Sequence, residues 1–467
     1  MTATTLRFAA TEKLLKRTTG RCPVCRIACP AEVWRVDGQP AKVFLKRFCL
    51  RHGEASACIA SDARFYWLAK GDPKNAGSCC GGSACCASDG STAGTLGRNA
   101  NGHGDAPFEK LSTCLALIEI VNSCNLSCPT CYADSPLGTG QKVDAVPLQN
   151  LKQRIQGVID RKGGIEILQL SGGEPTLHPQ FFELVEWLQS NPGIDYVLLN
   201  TNGVRIAHDD AFIGQLAEVS RRGNFQLYLQ FDGVQLEGQQ LLRGADLRAT
   251  RQRAVERCGE MNLPITLAMT VTPDNLPFLW QAIEFGLQYP HIRGISFQPM
   301  FGSGRVPDRR SPVADQSSAR LNTADIILAA VEQSGEQLRF EDFTPLPCGD
   351  PNCATIGYLL KANSRTYSIS DFVDFTQVQD FLRDKVRYHL EDLTRCGCES
   401  EPLGELLKRF EMDESNTFRL FIKPFMDAST WDEDRIDRCC THVIRPDGKL
   451  DSFCRYYSGF SDAKSGR

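Results

Sequence analysis

Between residues 114 and 300 the chain alternates short apolar runs with longer stretches of helical spacing. The run 115–121, Leu-Ala-Leu-Ile-Glu-Ile-Val, has the length and branched content of a buried strand. Runs at 165–170, 195–200, 226–231, 264–271 and 294–300 read the same way. Apolar residues recur at helical spacing over 148–159, 181–188 and 246–258. Strand-then-helix repetition predicts an α/β architecture with a parallel sheet. Outside this region the pattern changes. Two β-like runs, 31–36 and 41–46, flank the turn Asp37-Gly38 and predict a hairpin. Residues 71–113 are small, polar and glycine-rich, which predicts a loop. A second hairpin is expected around Pro446-Asp447-Gly448. The expected divisions are a Cys-rich module at 1–70, a linker at 71–113, the sheet domain at 114–300 and a C-terminal region at 301–467.

Length and composition narrow the class. A chain of 467 residues is too long for one small core and predicts one large domain with appendages. A formal net charge of -4 does not point to nucleic acid. No run approaches the length of a membrane span, and the first residues have no apolar leader. There are 21 cysteines, most of them in closely spaced groups. In a long chain without a leader this predicts a reduced, cytoplasmic protein with several metal sites.

The most informative group is Cys124, Cys128 and Cys131, placed just after the strand at 115–121. That is the loop at a strand's C-terminal end, where barrel enzymes keep their chemistry. Three thiolates on a four-iron cube leave one iron open for catalysis. Ser171-Gly172-Gly173-Glu174-Pro175-Thr176 ends the next strand. Asn200, Thr201, Asn202, Gln230, Asp232, Thr270 and Gln298 mark the C-terminal ends of later strands, the ligand rim of a barrel.

Near the start, Cys22 and Cys25 face Cys49 and His52 across the hairpin, the plan of a zinc ribbon or rubredoxin. His52 or Cys29 would be the fourth ligand, and mononuclear Zn or Fe fits. Cys79, Cys80, Cys85 and Cys86 could wrap a cluster or form a thiol-rich tether. Towards the end, Cys348, Cys353, one of Cys439 and Cys440 (Cys439 is preferred), and Cys454 form a four-thiolate set for an auxiliary [4Fe-4S] cluster. Cys396 and Cys398 have no assignable partner, and Cys258 falls on a helix and is expected to be buried.

The triplet Cys124, Cys128, Cys131 resembles the signature of radical S-adenosylmethionine (SAM) enzymes, and Gly172-Gly173-Glu174 resembles the segment that holds the SAM amino group in that superfamily. The resemblance implies a partial (β/α)6 barrel, a catalytic [4Fe-4S] cluster on the triplet, and SAM contacts from Tyr132, Gly172, Gly173, Glu174, Thr201, Asn202, Gln230, Asp232 and Gln298. A carboxylate at 174 suits an ammonium, and glycines at 172 and 173 suit close approach of a ligand. Further segments are similar to archaeal tetraether lipid synthases and to class D radical SAM methylases: Leu229-Gln-Phe-Asp-Gly233, Arg243-Gly-Ala-Asp-Leu247, Asp342-Phe343 through Cys348, and Pro446-Asp-Gly448 through Cys454. Those relatives carry a spaced cysteine loop before the first barrel strand, where this chain has Cys79, Cys80, Cys85 and Cys86. The implied activity is hydrogen abstraction at unactivated carbon, followed by carbon–carbon bond formation or methylation of a small-molecule or lipid substrate. A flavodoxin or ferredoxin would supply electrons. The alternative is a non-catalytic iron–sulfur and SAM-binding redox or metal sensor.

Overall fold

The computed structural model describes residues 11–69, 113–306, 320–346, 349–362, 365–371 and 416–460. The first of these segments is a four-stranded antiparallel sheet in chain order: β1 (Glu12–Arg21), β2 (Ala28–Val36), β3 (Lys42–Cys49) and β4 (Gly53–Ala60). The expected hairpin is β2–β3, with Val36 opposite Lys42. The outer strands escape the sequence pattern because they bury few side chains; β1 reads Glu-Lys-Leu-Leu-Lys-Arg-Thr-Thr-Gly-Arg. The core of this module is five small or medium residues, Ala31, Val33, Val43, Leu45 and Ala60. So thin a core leaves much of the holding to metal ligation and docking.

The six expected barrel strands are present: β5 (Leu115–Val121), β6 (Ile165–Gly172), β7 (Ile194–Thr201), β8 (Phe225–Gln230), β9 (Ile265–Val271) and β10 (Ile292–Pro299). They lie side by side in chain order and all pair in parallel. Every residue of β5 is buried, so the run is apolar throughout rather than alternating. The crossover helices cover the outer face. Leu148–Lys162 turns Leu148, Leu151, Ile155, Val158 and Ile159 inward and ends at left-handed Gly163. Cys258 is fully buried on the helix Arg248–Glu260, as expected.

The C-terminal region extends both edges of this sheet. β11 (Thr344–Pro345), β12 (Thr355–Ala362), β13 (Arg365–Ser368) and β14 (Thr417–Ile422) build outward from β10, to which β14 is parallel. On the opposite edge β15 (Thr441–Ile444) runs parallel to β5, and β16 (Leu450–Ser452) pairs back on it, forming the expected hairpin. The chain from β14 to β15 therefore crosses from one edge of the barrel sheet to the other. Lys423 Nζ donates to Thr441 Oγ1 at 3.1 Å across that gap.

The small N-terminal sheet docks on the crossing segment. Lys16 Nζ lies 2.7 Å from Asp432 and 2.9 Å from Asp434, and Thr18 Oγ1 donates to Asp432 at 2.7 Å. Arg47, almost wholly buried, donates to the carbonyls of Ala428 and Ser429. Among the described residues no helix is long and apolar enough to cross a membrane.

Candidate active site

Cys124, Cys128 and Cys131 line one cavity with Tyr132, Gly172, Gly173, Glu174, Thr201, Asn202, Gln230 and Gln298. Eleven of the twelve residues assigned from sequence to this site thus meet at the C-terminal ends of the strands. The loop carrying the triplet is pinned by its backbone. Cys124 N–H donates to Pro136 at 2.9 Å, and Cys131 exchanges two 2.8 Å bonds with Arg305. Arg305 also donates to the carbonyls of Cys128 at 2.8 Å and Ser135 at 2.6 Å. Gly304 sits at φ +62, and a Cβ there would lie 2.2 Å from the Cys131 carbonyl oxygen. The stretch Ser303–Arg305 is therefore a strap across the cysteine loop.

Burial, and then the charge of Glu174, pushes the Cys124 thiol up to about 12. A thiolate there needs a cation beside it, which is what ligation to iron provides. The three sulfurs are not gathered at the spacing of ligands to one ion. The sole group that tight among the described residues is in the N-terminal module. Wider spacing suits a cluster, in which each thiolate binds a different iron. The donor set therefore fits a [4Fe-4S] cluster.

The Gly-Gly-Glu segment also does structural work of its own. A Cβ on Gly172 would lie 2.1 Å from the Val121 carbonyl oxygen, and one on Gly173 would lie 1.9 Å from that of Ser123. These glycines are required by the close approach of β6 to the end of β5, before any ligand is considered. The Glu174 carboxylate accepts from Thr176 N–H at 3.2 Å, Thr176 Oγ1 at 2.7 Å, Thr201 Oγ1 at 2.7 Å and Asn202 N–H at 2.8 Å. Three of these bonds fall on Oε1 and one on Oε2, so Oε2 keeps acceptor capacity on the cavity side, where an ammonium could be met. The same bonds fix β6 to β7 in a buried place.

Asp232 is a correction. It is fully buried and does not line the cavity. Its carboxylate takes Arg243 at 2.6 and 2.9 Å, Arg251 at 3.2 Å and Thr270 N–H at 3.1 Å. Burial alone would raise its pKa, but Arg243 and then Arg251 hold it below the ordinary carboxylate range. The arginines, which sequence reasoning left without roles, line the cavity instead. Arg243 stands beside the Cys128 sulfur, and burial pulls Arg251 down to about 10. Arg251 Nε and Nη2 make no hydrogen bond. Gln230 Nε2 is committed to Asp232 at 2.8 Å and Gln298 Nε2 to the Tyr228 hydroxyl at 2.7 Å. The side chain of Asn202 bonds Asn125 in the triplet loop at 2.7 Å.

In the N-terminal module one ligand atom each from Cys22, Cys25, Cys49 and His52 lies within 4.8 Å of the others. This is the geometry of one tetrahedral ion. The backbone N–H of Arg51, and then His52, hold the Cys49 thiol down to about 6. Cys29 is outside the group.

At the barrel edge Cys353, Cys439, Cys440 and Cys454 come close enough to influence one another's charge. Burial pushes Cys440 and Cys454 up to about 12. Arg435 Nη2 lies 3.7 Å from the Cys353 sulfur, and Met426 N–H donates to that of Cys454 at 3.3 Å. Gly349, at φ +80, packs against Cys440, where a Cβ would lie 3.2 Å from the sulfur. Both adjacent cysteines, not one, reach this set. Cys348, Cys396, Cys398 and the group Cys79, Cys80, Cys85, Cys86 lie outside the described residues.

Residues 118–285 match the radical SAM superfamily, and residues 14–61 match the HMPTM N-terminal zinc ribbon domain. The chain carries a radical SAM domain, with a zinc-ribbon module ahead of it. It is 24% identical over 506 residues to the 7,8-dihydro-6-hydroxymethylpterin dimethyltransferase of Methanocaldococcus jannaschii, covering 94% of this chain and 93% of that protein. It is 28% identical over 217 residues to the GTP 3',8-cyclase of Synechococcus elongatus, covering 44% of this chain and 62% of the cyclase. Among solved structures, native anSMEcpe with bound AdoMet and Kp18Cys peptide aligns at a TM-score of 0.35, with 18% identity over 52% of this chain and 73% of that one.

Proposed function

We propose that this enzyme methylates an unactivated carbon of a small, heteroaromatic, pterin-like molecule through hydrogen abstraction. The observation that carries the reading is the cavity joining the cysteine triplet to the polar ends of β6–β10. The similarity to the pterin dimethyltransferase along 94% of the chain supports methyl transfer over the lipid coupling of tetraether synthesis. When bound, the cluster and SAM supply one-electron cleavage of a carbon–sulfur bond and, from it, a 5′-deoxyadenosyl radical.

The chain's own residues do the rest. Cys124, Cys128 and Cys131 hold the cluster. The backbone of Gly172 and Gly173, kept in place by Glu174, faces the SAM amino group. Tyr132, Thr201, Asn202, Gln230 and Gln298 wall the remaining cofactor space. Arg243 and Arg251 present positive charge to the substrate side, aimed by Asp232. The N-terminal set binds one zinc ion, and Cys353, Cys439, Cys454 and Cys348 (with Cys440 adjacent) bind an auxiliary [4Fe-4S] cluster.

The test is anaerobic reconstitution with iron, sulfide, excess dithionite and SAM as radical source, together with a one-carbon donor (further SAM in one arm, a methylene-carrying reduced folate in another), with and without 7,8-dihydro-6-hydroxymethylpterin. Expected products are 5′-deoxyadenosine and a methylated pterin. SAM that binds but is never cleaved by fully iron-loaded protein would sink the reading and favour a sensor. Nucleoside without any methylated pterin would exclude this substrate class.

A further inference from the structure

We propose that the ring pair Tyr132–Phe453 is an electron-transfer bridge between the catalytic triplet and the C-terminal cysteine set. This rests on the reading that the C-terminal set holds a cluster. Tyr132 is the next residue after Cys131, and Phe453 is the residue before Cys454. Their ring centroids are 5.5 Å apart. A path from one sulfur to the other thus runs along one peptide link, across one ring contact and along a second peptide link.

The medium around that contact is dense. Phe453 stacks on Phe425 at 4.0 Å, and Tyr457 packs against both bridge rings, at 4.8 Å from Tyr132 and 4.6 Å from Phe453. Phe453 and Tyr457 are buried. Tunnelling falls steeply with the gap to be crossed, so packed rings between two centres favour transfer over the looser paths around them. The neighbouring phenols are tied down: Tyr132 to Ser171 at 3.2 Å, and Tyr456 and Tyr457 each to Glu119 at 3.0 Å. The rings therefore have little freedom to leave the contact. An ordinary aromatic core would account for the packing. It would not require a ring next to a cysteine of each set to be the point of contact.

The proposed step moves one electron. A low-potential one-electron donor reduces the C-terminal cluster. That cluster is then oxidised by one electron as the triplet cluster is reduced by one, and no proton changes place. SAM cleavage consumes the electron.

The experiment uses the full-length chain loaded with both clusters. A photoreduced deazaflavin delivers one electron per molecule, and freeze-quench paramagnetic resonance follows its distribution between the two clusters. Phe453→Leu and, on the other side of the contact, Tyr132→Leu should slow redistribution at least tenfold. Phe453→Tyr, which keeps the ring, should leave the rate near that of the parent. Iron counts and each cluster's own spectrum show that both centres are loaded in the variants compared, and either leucine variant suffices if the other does not load. An unchanged rate in a leucine variant holding both clusters overturns the bridge while leaving the C-terminal cluster standing. If a Cys124, Cys128 and Cys131 triple alanine variant retains no iron, the C-terminal cluster itself is absent, and the bridge falls with it.

Discussion

Asp232 shows how one residue can matter to a site it does not touch. Two guanidinium groups, Arg243 and Arg251, converge on its fully buried carboxylate. Asp232→Asn keeps the shape and removes the charge, leaving two buried cations uncompensated. Breaking a buried ion pair from one side costs about 3–5 kcal/mol. We expect a thermal midpoint lowered by several degrees and a weaker hold on substrate, read as a raised KM, with iron content unchanged. A midpoint equal to that of the parent would mean that the arginines find other partners. The sequence places Asp232 at a strand end, where barrel enzymes keep ligand-binding groups. Only the positions of two arginines, 11 and 19 residues further on, turn it into a support. The same holds for Glu174, whose four internal bonds could not be read from Gly-Gly-Glu alone.

At the level of elements, the buried strands and their helices were legible because each is a sustained apolar run or stripe. The strap Ser303–Arg305 was not, since it has no periodicity and acts through backbone bonds to a loop more than 170 residues earlier. Gly304 is the position where it can be tested. A side chain there meets both a left-handed φ and the carbonyls of Cys131 and Tyr132, at 2.2 and 2.5 Å. Strain of this kind costs about 1–3 kcal/mol. Gly304→Ala should therefore loosen the triplet loop and speed loss of its cluster to a chelator, followed by the fading of visible absorbance. Arg305→Met, which keeps the backbone bonds but drops those to Cys128 and Ser135, should produce a milder version of the same loss. Equal cluster lifetimes in parent and Gly304→Ala would show that the strap does not hold the site.

For the whole molecule, the described N-terminal sheet, the crossing segment and the C-terminal cysteines form one chain of contacts. Lys16, Thr18 and Arg47 join the sheet to residues 428–434, and Arg435 reaches Cys353. Metal ligation is linked to folding, and the small core of the N-terminal module gives it little else to stand on. Replacing Cys22 and Cys49 by Ser should remove one metal ion and raise hydrogen exchange in residues 423–438. It should also weaken the C-terminal cluster while sparing the triplet cluster, so that SAM cleavage persists when dithionite reduces the triplet cluster directly. Exchange unchanged in 423–438 would mean that the docking stands without the metal. Abolished SAM cleavage in a cluster-loaded variant would mean that the module does more than support.

The sequence alone determined the parallel strands, the helix cover, the two hairpins and the cysteine groups of the triplet and the N-terminal module. Each of these depends on local pattern: strand runs, turn residues, and ligands a few positions apart. The tertiary structure decided which residues face the cavity and which brace it. It set Asp232 behind two arginines, tied the carboxylate of Glu174 to Thr176, Thr201 and Asn202, and drew Cys440 into the C-terminal set. It also decided that the C-terminal region would extend both edges of the barrel sheet and bring Phe453 against Tyr132. Those outcomes depend on contacts between residues tens to hundreds of positions apart, where neither spacing nor periodicity carries a signal.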